Sequence, residues 1–252
     1  MQSSFVNYSV SNKVGTIEFY TPHHNSLPAS ILAQLAIKIV EASNDNTCNV
    51  IILKSAGEKT FCSGASFDEL IAIETTEQGL QFFSGFANVI NAMRKCPKFI
   101  IGRVQGKAVG GGVGLAAACD YTLATKQASI KLSELAVGIG PFVVGPAVER
   151  KIGNSAAYEL AIDASNFRTA DWAKQKGLFV EIFENITDLD TYITQFAENL
   201  STQSTMAMAE IKSAFWSGTE HWDELLLQRA AISGRLVLSS FTKEFISNFK
   251  AK

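Results

Sequence analysis

Three consecutive glycines, Gly110, Gly111 and Gly112, run straight into an Ala/Leu segment that ends at Asp120. Glycine loses more backbone freedom on folding than any other residue, so a run of it at a helix entrance calls for something that approaches the main chain closely. The first N–H groups of a helix have no partner within it and carry partial positive charge, which suits an anion. Spacing excludes a nucleotide phosphate. A P-loop needs GxxxxGK[ST], whereas Gly102 to Ala108 has the wrong spacing and ends in alanine. A GxGxxG fingerprint begun at Gly110 would need a glycine where Leu115 stands. The other candidate is an anion made during a reaction. A second small-residue loop, Cys62-Ser63-Gly64-Ala65-Ser66, lies between an apolar strand pattern and a helix pattern. Two such loops, each offering one main-chain N–H to the same carbonyl oxygen, make an oxyanion hole, in which one donor is worth roughly 3 kcal/mol. The same loops would also serve as ordinary tight strand–helix turns.

The surrounding pattern is one of alternating strands and helices. Val6, Tyr8 and Val10 alternate with polar residues, and Ser11-Asn12-Lys13 turns the chain into Val14–Phe19, which predicts a hairpin. Pro28 opens a helix carrying Ile31, Leu32, Leu35 and Ile39. Val50–Leu53 is a short, wholly apolar strand of the buried kind, followed by a loop from Ser55 to Ser66. A helical period runs over about 75 to 94, a strand over Phe99–Val104, and further short strands over Tyr121–Thr125 and Ala128–Leu132. Beyond about residue 140 the pattern turns mostly helical. Thr169 is placed to cap a helix over Ala170–Lys176 that stops at Gly177, and Phe179–Phe183 is the one late strand. From Asp188 three or four amphipathic helices follow, whose apolar stripes must be covered. The fold class is α/β, with a core over residues 1–190 and a helical C-terminal region over 191–252, and no linker between them.

Composition narrows the function classes. The 252 residues are 47% hydrophobic and 18% charged with a net charge of −2, and no Lys/Arg run appears, which argues against a nucleic-acid partner. No apolar stretch has the length of a membrane span, and the first residues lack a signal-peptide pattern, so a cytoplasmic location is expected. Cys48, Cys62, Cys96 and Cys119 are scattered, reading as buried thiols of a reducing compartment. Three histidines, none at metal-ligand spacing, make a metal centre or a histidine-based nucleophile unexpected.

FCSGASFDEL, QGKAVGGGVGLAAACDYTLAT and SELAVGIGP, in that order and spacing, resemble the crotonase (enoyl-CoA hydratase/isomerase) superfamily. The resemblance spans roughly residues 5 to 180 and implies a spiral of ββα units. Its C-terminal helices would assemble a homotrimer or a dimer of trimers. The implied substrate is an acyl-CoA thioester, with no cofactor beyond the coenzyme A that the substrate carries.

Carried over residue by residue, the two oxyanion donors fall on the N–H groups of Ala65 and Gly111. Glycine at 111 would keep a side chain away from the thioester. Asn25, Ser63, Gly64, Gly110, Gly114, Phe142 and Lys252 fall at substrate-binding positions, with Phe249 beside Lys252 in the tail. The turn Pro22–Leu27 corresponds to the region that handles coenzyme A, with His24 where relatives carry a basic residue. One of the family's two catalytic carboxylates is matched by Glu134; the other falls on Gly114, which has no side chain. Ser66 stands where many relatives have Asp, and Phe142 where a small residue is common. A single carboxylate suffices to move a double bond: it takes a proton at C2 and returns it at C4. The finer resemblance, to methylglutaconyl-CoA hydratase-like members, points instead to hydration of a 2-enoyl-CoA, with Gly114 leaving room for a 3-methyl branch. Hydration is the leading expectation, isomerisation the alternative, and a non-catalytic acyl-CoA-binding or RNA-binding scaffold the alternative from another class.

Overall fold

The structure, a computed structural model, describes residues 3–250. β1 (Phe5–Ser11) and β2 (Val14–Tyr20) pair antiparallel around Asn12 and Lys13, both at positive φ (51° and 63°), the tight-hairpin geometry that matches strand twist. α1 (Ala29–Asn44) follows Pro28 and buries Ile31, Leu32, Leu35 and Ile39, the residues whose period predicted it. From β3 onward the chain repeats one unit. A strand enters the first sheet, a short strand crosses to a second sheet, and a helix returns. The units are β3 (Val50–Ser55), β4 (Thr60–Cys62), α2 (Phe67–Ile71) and α3 (Thr76–Lys95); β5 (Ile100–Val104), β6 (Lys107–Val109) and α4 (Gly111–Ala118); then β7 (Tyr121–Thr125), β8 (Ser129–Lys131) and a 3-10 turn over Leu135–Val137. α5 (Gly145–Ile152), α6 (Asn154–Ile162), β9 (Arg168–Thr169), α7 (Ala170–Gln175) and β10 (Glu181–Phe183) close the core.

The first sheet runs β1-β2-β3-β5-β7-β10, parallel except for the β1/β2 hairpin. The second runs β4-β6-β8-β9, with only β8/β9 antiparallel. Both sheets therefore present the C-terminal ends of neighbouring strands on one side, and the loops leaving β4 and β6 emerge together. β4 lies within the expected loop and β6 in a stretch given no element, because three residues are too few for alternation to register.

Four helices complete the chain: α8 (Ile186–Ser201), α9 (Thr205–Phe215), α10 (Trp222–Leu236) and α11 (Ser240–Lys250). A boundary at residue 190 falls inside α8, and α8 belongs to the core. Its Leu189, Ile193 and Ala197 cover Val14, Val50, Ile52, Ile101 and Leu123 on the outer face of the first sheet. Arg103 of β5 donates two bonds, of 2.7 and 2.8 Å, to Asp190. α9 is held by Lys212, 2% exposed at its side chain, which ion-pairs with Asp120 at 2.8 Å. Trp216 also donates to Asp120. α10 lies along α3, so closely that a Cβ added to Gly79 would stand 2.6 Å from the Gly234 Cα. Among the described residues no helix is long and apolar enough to cross a membrane.

Candidate active site

Where β4 ends, Cys62-Ser63-Gly64-Ala65 bends with Gly64 at φ +93°. Leu27 N–H donates to the Gly64 carbonyl at 2.8 Å, Ser66 N–H donates to the Leu27 carbonyl at 3.0 Å, and the Ser26 hydroxyl donates to the Ala65 carbonyl at 3.1 Å. These bonds hold both flanks of Ala65 and leave its own N–H without a protein acceptor among the described residues. Where β6 ends, Gly110 adopts φ 52° and ψ −115°, outside the range of residues with a Cβ, and donates to the Lys131 carbonyl at 2.8 Å. Gly111 then begins α4, and its N–H likewise finds no protein acceptor among the described residues. The two loops touch: a Cβ on Gly64 would lie 3.6 Å from the Gly111 nitrogen, and one on Gly112 would lie 2.3 Å from the Cys62 carbonyl oxygen. Two free donors thus sit on adjoining loops, each loop fixed by bonds that do not use them.

Glu134 leaves β8 through Ser133 and opens the 3-10 turn, its carbonyl accepting from Val137 and Ile139 at 3.2 and 3.0 Å. Its carboxyl lies over Gly110, where a Cβ would come within 3.1 Å of Oε1. The residue as a whole is only half-buried, but Oε2 is sealed from solvent and has no hydrogen-bond partner among the described residues. Burial raises the carboxyl from its ordinary value to about 7, against a smaller opposing pull from its own backbone N–H. A carboxyl poised near neutrality both takes and gives a proton at working pH. An orphaned buried oxygen costs stability unless something bound pairs with it.

A cavity of about 530 Å³ joins these groups, lined by Ser63, Gly64, Ala65, Gly110, Gly111, Glu134 and Phe142 among others. It thus gathers most of the positions singled out in the sequence. Two of the others, Asn25 and Gly114, differ from expectation. Asn25 does not line the cavity. It is 3% exposed, accepts from Thr21 N–H and donates to the Ala56 and Thr60 carbonyls, so its amide is used up in tying the 21–25 turn to the β3–β4 connection. Gly114 also lies off the cavity, and the space expected for a 3-methyl branch is taken: a Cβ on Gly114 would stand 2.4 Å from Val144 Cγ1. Lys252 falls outside the described residues, as does the Phe249 side chain. Glycine at 111 answers to Phe86, whose ring would be 2.2 Å from an added Cβ, and not directly to a ligand.

Sequence reasoning missed Phe86, Phe82 and Phe83 on α3, Val144 before α5, and Ser233 on α10, all of which line the cavity. A signal existed only for the phenylalanines, at helical spacing with Gly79. Beside Gly114 the cavity is lined by the hydrocarbon side chain of Val144.

The pattern that defines the enoyl-CoA hydratase/isomerase family matches residues 9–244. The chain is 29% identical to the peroxisomal Delta(3,5)-Delta(2,4)-dienoyl-CoA isomerase of Arabidopsis thaliana, over 79% of this chain and 75% of that one. It is 29% identical to the short-chain-enoyl-CoA hydratase of Clostridium acetobutylicum, over 78% and 74%. With the mitochondrial methylglutaconyl-CoA hydratase of Mus musculus it shares 30% identity over 78% and 63%. An enoyl-CoA hydratase from Bacillus halodurans superposes with a TM-score of 0.89 at 22% identity, covering 97% of this chain and 100% of that one, a likeness of fold alone. Two sheets fed by repeated ββα units, with paired glycine loops and a buried carboxyl at their shared edge, are thus matched by one family along nearly the whole chain, and the protein belongs to the enoyl-CoA hydratase/isomerase family, with the crotonase fold.

Proposed function

We propose that this chain moves the double bond of an enoyl-CoA thioester between C3 and C2, with Glu134 as the base. The observation that carries this reading is the pairing of one sealed carboxyl with an apolar wall: Val144 fills the space beside Gly114. The thioester oxygen accepts from the N–H groups of Ala65 and Gly111, each worth roughly 3 kcal/mol to an enolate. Glu134 takes a proton from C2, and the electron pair of that C–H bond spreads through C1 onto the oxygen and across C3=C4 as a dienolate. The same carboxyl, now protonated, delivers its proton to C4, leaving C2=C3 and a restored carboxylate. No water is consumed, and no second carboxylate is required.

Hydration of a 2-enoyl-CoA is the second reading, favoured by the hydratases at about 30% identity. Glu134 would then have to serve both the water and C2. We further infer a homotrimer or dimer of trimers, supported by exposed Tyr158 and Ile162 on α6, at 60% and 69% exposure. Four buried free thiols fit a reducing compartment, the cytoplasm in this reading.

The test supplies purified protein with crotonyl-CoA, 3-methylglutaconyl-CoA and a linear 3-enoyl-CoA. The 3-enoyl-CoA is expected to be isomerised, and Glu134→Gln to lower kcat by roughly 10²–10⁴-fold. Turnover that survives Glu134→Gln removes this residue from the mechanism. Faster hydration than isomerisation moves the assignment to the second reading, and no turnover of any thioester leaves a binding scaffold.

A further inference from the structure

The buried face of α10 is Trp222, Leu226, Ala230, Ser233 and Gly234, an apolar stripe interrupted by one hydroxyl. Alanine at 233 would fit the stripe and favour the helix. Ser233 is 1% exposed, yet it lines the same cavity as Glu134, and its hydroxyl makes no hydrogen bond among the described residues. A donor that opens onto a cavity loses its solvent when an apolar chain fills that cavity, which costs free energy unless the chain itself satisfies it.

Its distance from the reacting end follows from α3. Gly79, Phe82, Phe83 and Phe86 form one stripe at helical spacing, with Phe86 packed against Gly111 at one end. Gly79 is in backbone contact with Gly234, next to Ser233, at the other. Seven residues at 1.5 Å each separate Gly79 from Phe86 by about 10 Å, so the Gly234 and Gly111 contacts stand at opposite ends of an aromatic wall. The cavity is lined by no Lys or Arg among the described residues, so a carboxylate at that depth would be buried without a counter-charge.

Resting on the acyl-CoA reading above, we propose that Ser233 selects the acyl chain: its hydroxyl donates a hydrogen bond to an uncharged oxygen, hydroxyl or carbonyl, near the far end of a medium-length chain. The chain passes Phe86 and Phe82 on the way. A plain alkyl chain leaves the donor unpaired, and a dicarboxylic chain brings a charge the pocket does not neutralise.

Binding of unreactive, saturated thioesters tests this apart from catalysis. Dissociation constants of hexanoyl-CoA and 6-hydroxyhexanoyl-CoA are measured by calorimetry on the wild-type protein and on Ser233→Ala. The wild type is expected to prefer the hydroxylated chain about three- to tenfold, the worth of one neutral hydrogen bond, and Ser233→Ala to bring the ratio close to one. A wild-type ratio at or below one, or a preference that survives Ser233→Ala, overturns the proposal while leaving the acyl-CoA reading intact. Absence of binding by either thioester overturns both.

Discussion

Glu134→Gln should stabilise the fold at alkaline pH while it removes activity. An unfolded glutamate titrates near 4.5, and burial raises the native carboxyl to about 7. The native state therefore binds this proton more tightly than the unfolded state, so the protonated carboxyl favours folding. That contribution is whole below pH 4.5, drains away between pH 4.5 and 7, and is gone above. At about 1.4 kcal/mol per pH unit, the charged form costs about 3 kcal/mol relative to the neutral one. Glutamine has the shape of the protonated acid and no titration. The variant should match the wild type near pH 4.5 and exceed it by about 3 kcal/mol at pH 8. For a chain of this size that is a rise in Tm of several degrees, on the order of 6–12 °C. Urea denaturation from pH 4.5 to 8.5, at one fixed protein concentration, measures the gap. A gap that does not grow with pH, or a variant less stable than wild type at pH 8, refutes the claim that the carboxyl is buried and unpaired.

Other expectations concern the packing around the loops. Gly111→Ala should lose about 1–3 kcal/mol by overpacking against Phe86, read as a lower urea midpoint, and Phe86→Leu in the same chain should restore part of it. Gly114→Glu should be destabilised by Val144, whereas Gly114→Glu with Val144→Gly should regain stability; equal midpoints for the two would mean that Val144 is not the obstacle. Lys212→Ala should cost about 3–5 kcal/mol, because it strands Asp120 within a network that includes Trp216, and denaturant titration checks it. The four cysteines should resist a thiol reagent in the native state and react together on unfolding, since all are buried and burial raises Cys62 and Cys119 to about 12.

The glycine loops were legible in the sequence because what they require is backbone chemistry, and glycine is its direct sign. Gly110 has a backbone no other residue adopts easily, and Gly111 and Gly112 meet Phe86 and Cys62 at distances that exclude a Cβ. The long elements were legible too: α1 and α3 declare their buried faces by period, and β7 occupies the residues its pattern marked. The three-residue strands β4 and β6 were not, because so short a segment has no period and is a strand only by virtue of its neighbours. Gly114 misled for a different reason. An absent side chain in a sequence reads as space, but Val144, thirty residues on, already occupies it. Asn25 misled in the same way, since a polar residue in a binding turn serves the turn's own backbone.

α4 has no solvent face: all eight residues from Gly111 to Ala118 are buried, and three of them are glycine. A helix this short and this rich in glycine has little stability of its own. Its amides are protected from exchange only by the walls around it, so they should exchange by the same global opening that unfolds the domain. The Gly111 amide, at the cavity edge and without a protein acceptor among the described residues, should exchange faster than the hydrogen-bonded amides of the helix. A bound thioester oxygen would extend that protection by one residue, so a single amide would report occupancy of the site before any turnover is measured.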